Sequence, residues 1–138
     1  MTTARDIMTP DPRCIGENDT LVDAAMLLAD LDVGALPICG EDGRLKGMLT
    51  DRDIVVKCLA KGGDPRTDTA GSLGEGTPVW VDAGADVRDA LTLMEQHQVR
   101  RLPVIEDHQL VGIISQADVA RNLEATETGE TVEQISEE

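Results

Sequence analysis

A hydroxyl and a carboxylate stand three residues apart at the end of an apolar run in the stretch GMLTDRDI, residues 47–54. Thr50 follows the run directly, and Asp53 comes three residues later. This spacing is typical of a helix N-cap, where the threonine oxygen accepts a hydrogen bond from a free backbone N–H. The same two side chains could also hold a polar ligand. Capping and ligand contact do not exclude each other, so the stretch keeps both interpretations.

The pattern occurs a second time, 65 residues further along the chain. In GIISQAD, residues 112–118, Ser115 matches Thr50 and Asp118 matches Asp53. A threonine or serine can accept a backbone hydrogen bond in the same way, and the aspartate is unchanged. The chain therefore carries two copies of one sequence motif.

The elements predicted around the two motifs repeat as well. The stretches 19–33 and 85–99 each have apolar residues at helical spacing. Turn signals at 40–45 and 106–110 separate two apolar runs in each copy. Each copy is thus predicted to run strand, helix, strand, turn, strand, helix. The first strands are expected at Arg13–Ile15 and Val79–Val81, and the closing helices at 51–61 and 116–124.

The repeat predicts an α/β fold made of two β-α-β-β-α copies. A copy of about 60 residues buries too little surface to be stable alone. Two copies related by a pseudo-twofold axis can pack their sheets into one module with a shared core. The expected division is a first repeat at 4–61, a linker at 62–76, a second repeat at 77–124 and an acidic tail at 125–138, disordered or a frayed helix.

The composition limits the functions that are open to the chain. Of its 138 residues 41% are apolar and only Trp80 is aromatic, so the core must be aliphatic. The net charge of −15 argues against a nucleic-acid partner, which needs a basic face. No apolar run approaches the roughly 20 residues of a membrane span, and the N-terminus lacks an apolar signal core. We therefore expect a cytoplasmic protein with no membrane partner.

The other reactive side chains form no recognisable site. Cys14, Cys39 and Cys58 fit no metal motif by their spacing, and reduced thiols are the default in a cytosolic protein. His97 and His108 have no cysteine or carboxylate at ligand spacing. The chain also lacks the glycine-rich phosphate loops and the nucleophile motifs of enzymes. We expect neither a metal site nor a catalytic one.

Taken together, the two copies resemble a tandem pair of CBS (cystathionine-β-synthase) domains, also called a Bateman module. The resemblance rests on LPIC (36–39) with GMLTDRD (47–53) and on LPVI (102–105) with GIISQAD (112–118). It covers about residues 4–124 and includes both copies. The first half is also similar to stand-alone two-repeat proteins of the actinobacterial hypoxic response type.

The resemblance implies a regulatory module, not an enzyme, that binds adenosine-containing ligands in clefts between the repeats. The candidate ligands are AMP, ADP, ATP and S-adenosylmethionine, and no cofactor is required. By similarity, Asp53 and Asp118 would hold ribose hydroxyls, while Thr50 and Ser115 would contact ribose or phosphate. A carboxylate can accept both hydroxyls of a cis-diol, and a helix N-terminus attracts a phosphate.

The resemblance also implies that the two clefts differ. The cleft at the first motif should face Arg100 and Arg101, whose guanidinium groups suit a phosphate. The cleft at the second motif should face Gly34 and Ala35, which carry no charge. We predict one phosphate-competent site and one that is weaker, nucleoside-like or empty.

An alternative function is open at this point. The chain could keep the fold without a physiological ligand and act as a stress or interaction protein through its dimer surface or its acidic tail. In either case we expect a homodimer, because each module presents apolar helix faces that one chain cannot cover. The sequence leaves the dimer orientation open and names no client protein, so any client would be regulated in trans.

The fold implied by the resemblance also bears on two of the cysteines. Cys14 lies in the first short strand of the first copy, and Cys39 ends the second strand, which runs beside it in CBS domains. A disulfide between them is geometrically possible, although a reducing cytosol argues against it. A link that forms only under oxidising conditions is a hypothesis.

Overall fold

The structure, a computed structural model, describes residues 1–74 and 78–123. Helices and strands are interspersed along this part of the chain, and the strands form two sheets. The predicted α/β fold class is confirmed. In chain order the elements are α1 (Ala4–Ile7), β1 (Thr9–Pro10), β2 (Ile15–Gly16), α2 (Leu21–Leu31), β3 (Ala35–Cys39), β4 (Leu45–Thr50), α3 (Asp51–Asp53), α4 (Ala70–Leu73), β5 (Val81–Asp82), α5 (Val87–His97), β6 (Arg101–Glu106), β7 (Gln109–Ser115) and α6 (116–123).

The helix that begins with α3 changes its winding twice before it ends. It continues as a π-helix over Ile54–Cys58 and finishes as a 3₁₀ turn over Leu59–Lys61. Gly62 then adopts a φ of 76°, which glycine reaches without a steric penalty, and stops the helix as predicted. We call residues 51–61 the first closing helix and residues 116–123, α6, the second closing helix.

The chain forms two compact units, each holding one sheet. The first-repeat unit has the strand order β2-β3-β4, with β2 parallel and β4 antiparallel to β3. The second-repeat unit has the order β1-β7-β6-β5. Apart from residues 108–110, which group with the first, the units are residues 12–78 for the first repeat and residues 1–11, 79–107 and 111 onward for the second.

Each unit has its own aliphatic core, as the composition predicted. In α2 the buried side chains recur at helical spacing, so that one side of the helix faces the sheet. The same holds for α5 in the second-repeat unit. The first core contains Ile15, Leu21, Ala24, Leu28, Leu36, Ile38, Leu49, Ile54, Cys58 and Ala70. The second core contains Ala4, Val81, Ala83, Val87, Ala90, Met94, Leu102, Val104, Ile114 and Val119.

The short segments that precede each repeat are exchanged between the units. In the second-repeat unit, the Ala4 N–H donates to the Ala85 carbonyl at 2.9 Å, and β1 pairs with β7. In the first-repeat unit, the Ala70 N–H donates to the Asp19 carbonyl at 2.8 Å in the matching position. The helix that leads into the first repeat thus packs with the second, and the helix that leads into the second packs with the first.

This exchange explains two glycines of the repeated motif. A Cβ atom on Gly47 would collide with the carbonyl oxygen of Gly74, which ends α4. A Cβ atom on Gly112 would lie 2.9 Å from the carbonyl oxygen of Thr9 in β1. The exchanged segments pass so close to both positions that only glycine fits without a shift.

The structural units group some segments apart from their neighbours in the chain. Residues 1–11 pack with the second repeat, although they precede the first. The predicted division into 4–61, 62–76 and 77–124 stays a prediction. The predicted linker at 62–76 contains α4, which packs in the first core through Ala70. The predicted acidic tail at 125–138 lies outside the described residues.

Smaller differences concern strand ends and caps. The first strands start later than predicted, at Ile15 and Val81, because these are the side chains that enter the cores. The caps of α2 and α5 also differ from each other. Thr20 accepts the Asp23 N–H at 3.2 Å, three residues on, whereas Asp86 accepts the Arg88 N–H at 2.8 Å, two residues on.

Candidate ligand-binding site

The first motif forms a reciprocal cap where β4 turns into the first closing helix. The Asp53 N–H donates to Thr50 Oγ1 at 3.0 Å, and the Thr50 N–H donates to Asp53 Oδ2 at 3.0 Å. Thr50 keeps an extended backbone as the last residue of β4, and the helix begins at the next residue. Its side chain satisfies a backbone N–H of the first helical turn, which has no partner within the helix. The capping interpretation of this stretch is confirmed. Asp51 and Arg52, between the two, are exposed.

The cap leaves one oxygen of Asp53 for another partner. Oδ2 is used by the Thr50 N–H, whereas Oδ1 lies 3.3 Å from the Lys57 ammonium group, one helical turn further on. Asp53 is half-buried, and Lys57 is exposed. The cap therefore fixes the position of Asp53 Oδ1. The partner of this oxygen is a surface lysine side chain, which a ligand could displace.

The second motif repeats this arrangement. The Asp118 N–H donates to Ser115 Oγ at 3.1 Å, and the Ser115 N–H donates to Asp118 Oδ2 at 3.1 Å. Asp118 Oδ1 is paired with the guanidinium group of Arg121, three residues further on. Both motifs thus hold a carboxylate in the same way and pair its second oxygen with a cation on the closing helix. Lys57 and Arg121 were missed at the sequence level, although their spacing of four and three residues from the aspartates was a usable signal.

The surroundings of Asp118 lower its pKa. Burial raises the pKa of this carboxyl, but the hydrogen bonds from the Ser115 side chain and backbone and from Arg121 outweigh burial. The net pKa lies below the ordinary value of 3.8. Because the unfolded state then binds the proton more tightly, the stability contributed by Asp118 is present above that ordinary pKa and is lost as the pH falls through the folded-state pKa.

Replacing Asp118 with asparagine should therefore lower the stability at neutral pH and weaken the loss of stability in acid. The free energy of unfolding should then change less steeply with pH, but some dependence on pH should remain. The reason is that backbone N–H groups also lower the pKa values of Asp6, Asp42 and Asp64. Urea unfolding at a series of pH values between about 5 and 2 measures this slope. Asp107→Asn, at an exposed turn, controls for the loss of one charge. An Asp118→Asn slope equal to that of the wild type would contradict the assignment.

In each repeat, the backbone just before β3 or β6 is hydrogen-bonded to the first residue of the closing helix. The Asp51 N–H donates to the Gly34 carbonyl at 3.0 Å, and the Gln116 N–H donates to the Arg100 carbonyl at 2.7 Å. Arg100 and Arg101 are exposed and belong to the second-repeat unit, whereas Thr50 and Asp53 belong to the first. The structure thus brings Arg100 beside the second motif through its backbone. The role of Arg100 as a phosphate ligand in the first cleft stays a prediction.

A surface cavity of about 360 Å³ lies beside the second motif. The end of α5 and the following turn contribute two apolar side chains together with a carboxylate and an amide, Glu95 and Gln98. Arg100, just before β6, adds a positive charge, and Gln116, at the start of α6, adds a second amide. The lining residues are Met94, Glu95, Gln98, Val99, Arg100 and Gln116.

The structure joins Cys14 to Cys39 in a disulfide, with their Cα atoms 5.8 Å apart. The bond is possible because β2 is parallel to β3 and places Gly16 opposite Cys39. The default of three reduced thiols therefore does not hold for this pair. Cys58 stays a free, buried thiol, and burial, together with a hydrogen bond to Asp68, raises the pKa of this thiol.

A metal site is not evident in the described part of the chain. Within residues 1–74 and 78–123, no three histidine, cysteine or carboxylate side chains lie close enough together to hold an ion. His97 and His108 are exposed. Among the described residues, no helix combines the length and the apolar character that crossing a membrane requires.

The fold and its two capped carboxylates define a known class of protein. The CBS domain family matches residues 4–59 and again residues 75–125, so both repeats are covered. The chain belongs to the CBS-domain family, and the resemblance seen in the repeated motifs is confirmed. The family is regulatory and generally not enzymatic.

Particular relatives narrow the comparison. Hypoxic response protein 1 of Mycobacterium tuberculosis is 58% identical over 123 residues, which are 89% of this chain and 86% of that protein. The CBS domain-containing protein YhcV of Bacillus subtilis is 39% identical over 132 residues, 93% of this chain and 90% of its own. The similarity to proteins of the hypoxic response type, predicted from the first half of the chain, extends over both repeats.

Solved structures of the family agree in fold and differ in what they bind. The crystal structure of Hypoxic Response Protein I contains two coordinated zinc ions; it is 57% identical, with a TM-score of 0.82, over 87% of this chain and 98% of that one. CBSX2 in complex with AMP is 27% identical, with a TM-score of 0.78, over 91% and 98%. The CBS pair of protein MJ0100, in complex with 5′-methylthioadenosine and S-adenosylmethionine, is 25% identical, with a TM-score of 0.79, over 91% and 98%.

Proposed function

We propose that this chain is a stand-alone regulatory module that binds an adenosine-containing ligand and signals to a partner protein in trans. The observation that carries the proposal is the fixed carboxylate oxygen of Asp53, with its counterpart on Asp118. Each cap holds one carboxylate oxygen in place and leaves the other for a partner. A ribose has two adjacent hydroxyls that can donate hydrogen bonds to such an oxygen. These bonds would replace the ion pair with Lys57 or Arg121.

The ligand class is supported by relatives, not by the motif alone. AMP, 5′-methylthioadenosine and S-adenosylmethionine share an adenosine group, and CBS pairs at 27% and 25% identity were crystallised with them. The shared part of these ligands is the part that a ribose-holding aspartate would bind. AMP or ATP is our candidate for this chain.

The two sites are proposed to be unequal. Arg100 and Arg101 supply two exposed guanidinium groups that no acidic residue in the described part of the chain pairs with, so they are free to bind a phosphate. The aligned positions Gly34 and Ala35 offer no charge. We assign the arginines to the site of Thr50 and Asp53, which leaves the site of Ser115 and Asp118 weaker or restricted to nucleosides.

The proposed role is regulatory and cytoplasmic, without catalysis. The carboxylates of both motifs are engaged in caps and in ion pairs with a lysine and an arginine of the closing helices. The crystal structure of Hypoxic Response Protein I contains zinc, but the described residues of this chain include no cluster of three potential zinc ligands. A zinc ion held by one chain is therefore not part of the proposal.

Isothermal titration calorimetry of the purified chain with AMP, ATP and S-adenosylmethionine tests the function. We expect saturable heat with at least one of them and a matching rise in the thermal midpoint, since a ligand that binds only the folded state stabilises it. Adenosine serves as the control without phosphate, and zinc chloride as the control for the metal. Absence of both heat and thermal shift at millimolar ligand would favour the ligand-free interaction protein. Mass spectrometry of small molecules that co-purify with the chain would identify the natural ligand.

A further inference from the structure

We propose that the disulfide between Cys14 and Cys39 is a redox switch that controls the docking of α4. This helix lies between the two repeats in the chain, and it rests on the turn that directly follows β2. We call this turn, residues 17–19, the α4 seat. The disulfide holds the seat in place in the oxidised chain. Reduction releases the seat, and α4 opens with it.

Backbone hydrogen bonds hold α4 on its seat. The Ala70 N–H donates to the Asp19 carbonyl at 2.8 Å, and the Gly71 N–H donates to the Glu17 carbonyl at 2.9 Å. A Cβ atom on Gly71 would lie 2.8 Å from the same Glu17 carbonyl oxygen, so the helix and the seat approach each other through their backbones. The first N–H groups of a helix have no partner within it. The position of α4 therefore depends on the position of the seat.

The disulfide supports the α4 seat because the seat has few hydrogen bonds to the sheet. The strand β2 is two residues long and lies at the edge of its sheet. Gly16 is opposite Cys39, and the Glu17 N–H donates to the Cys39 carbonyl at 3.2 Å. Cys14, the residue before β2, is bonded to the same cysteine. Short segments with few contacts open locally at a low free energy, so removal of the cross-link leaves the seat free to open.

The second repeat docks its helix α1 in the same way. The Ala4 N–H donates to the Ala85 carbonyl at 2.9 Å, and the Arg5 N–H donates to the Ala83 carbonyl at 3.0 Å. These four residues align with the four that join α4 to its seat. The chain therefore contains two helices that are docked by matching backbone contacts, one in each unit.

Of these two helices, only α4 is docked beside a reducible bond. Trp80 and Ile105 occupy the positions that align with Cys14 and Cys39. Neither side chain forms a bond that a thiol can break, so the docking of α1 does not respond to the redox state. Each unit thus supplies one half of a comparison, with α4 as the helix under redox control and α1 as its reference.

A small thiol can reach the disulfide from the protein surface. Cys14 and Cys39 are half-buried, and a cavity of about 180 Å³ lies against Cys39. The cavity is lined by the α4 seat together with Gly16, Gly40 and Glu41. Attack on the disulfide therefore needs no unfolding of the core.

Reduction proceeds by thiol–disulfide exchange with a small dithiol. One thiolate of the reductant attacks Sγ of Cys39 and forms a mixed disulfide, and Cys14 leaves as a thiolate that takes up a proton. The second thiolate of the reductant attacks the reductant sulfur of the mixed disulfide. Cys39 then leaves as a thiolate and takes up the second proton. The reductant ends as a cyclic disulfide, and the protein holds two new thiols.

The third cysteine does not take part in this exchange. Cys58 is 1% exposed, and burial, together with a hydrogen bond to Asp68, raises the pKa of its thiol. The thiolate is the species that attacks a disulfide, so a buried and protonated thiol reacts slowly. The switch therefore involves Cys14 and Cys39 alone.

Hydrogen exchange of the full chain, resolved by NMR for single amides, tests the proposal. In the chain reduced with dithiothreitol, the amides of Ala70 and Gly71 should exchange at least about tenfold faster than in the oxidised chain. The amides of Ala4 and Arg5 should change by less than about threefold, since the seat of α1 has no disulfide. A thiol count on each sample confirms its redox state.

Limited proteolysis gives a second measurement that needs no reductant. The double variant Cys14→Ser/Cys39→Ser is compared with the oxidised wild type. Trypsin should cut after Arg66, an exposed residue shortly before α4, about tenfold faster in the variant. Cleavage after Arg5, in α1, should be unchanged.

Three results would overturn the proposal. The first is an acceleration at α1 as large as that at α4, because the disulfide would then stabilise the whole chain without controlling α4. The second is no acceleration at α4 in a sample with three free thiols. The third is a wild-type chain that keeps three free thiols in the presence of an oxidant. Neither measurement uses a nucleotide, so a chain that binds none leaves the proposal standing.

Discussion

Asp53→Ala should weaken AMP binding by on the order of a hundredfold, about 3 kcal/mol, because it removes a charged acceptor from the ribose hydroxyls. Isothermal titration calorimetry measures the loss against wild type. In the same experiment, Asp118→Ala should weaken AMP binding less, since we assign the phosphate-binding arginines to the site of Asp53. Equal losses from the two variants would contradict the proposed inequality of the sites.

The experiment needs a control because Asp53 is also a capping residue. Removing a cap costs about 1 kcal/mol of stability on its own. The chain offers a matched control in α1, where Asp6 accepts the Thr3 N–H at 2.8 Å at the same three-residue spacing. Asp6→Ala loses a comparable cap at a helix that does not follow a motif strand. If Asp6→Ala weakened AMP binding as much as Asp53→Ala, the effect would be structural and the assignment of Asp53 to the ribose would fail.

Reduction of the disulfide between Cys14 and Cys39 should lower the free energy of unfolding by about 3 kcal/mol, because the bond closes a loop with a sequence separation of 25 residues. The constraint acts mainly on the unfolded chain, whose freedom increases when the loop opens. Urea unfolding with and without a reductant measures the difference. A thiol count after denaturation should give one free thiol, Cys58, without reductant and three with it.

The double variant Cys14→Ser/Cys39→Ser separates the disulfide from other effects of the reductant. It should be as stable as the reduced wild type, and its stability should not change when the reductant is added. Three free thiols in the wild-type chain, purified without reductant and protected from air, would show that the bond is absent under those conditions. The link would then be conditional, as one sequence-level hypothesis held.

The capped motifs could be predicted from the sequence because their signal is local. A threonine or serine with an aspartate three residues later satisfies its own backbone groups, whatever the rest of the chain does. The repeat then gave the fold, because two copies with the same periodicity must build the same elements. Helix ends marked by Gly62 and by Thr20 followed the same local logic.

The remaining features depend on contacts between distant segments, which a local pattern does not encode. The packing of Ala4 in the second core and of Ala70 in the first could not be inferred from the order of the repeats along the chain. The partners of the two motif aspartates, Lys57 and Arg121, are an exception, because each lies within about one helical turn of its aspartate. Their spacing differs by one residue between the copies, so alignment of the repeats did not reveal them. The oxidised state of Cys14 and Cys39 depends on the surroundings of the protein as well as on its geometry.

The pairing of β1 with β7 has a consequence for the order in which the protein is made. Thr9 is made before the whole first repeat, but its partner Ile113 is added only after that repeat and most of the second. Residues 12–74 are contiguous and hold the described part of their unit's core, so that unit can close while the chain is still growing. The strand β1 must stay unpaired until β7 has been made. The second repeat is therefore the last part of the newly made chain to become protected from proteolysis.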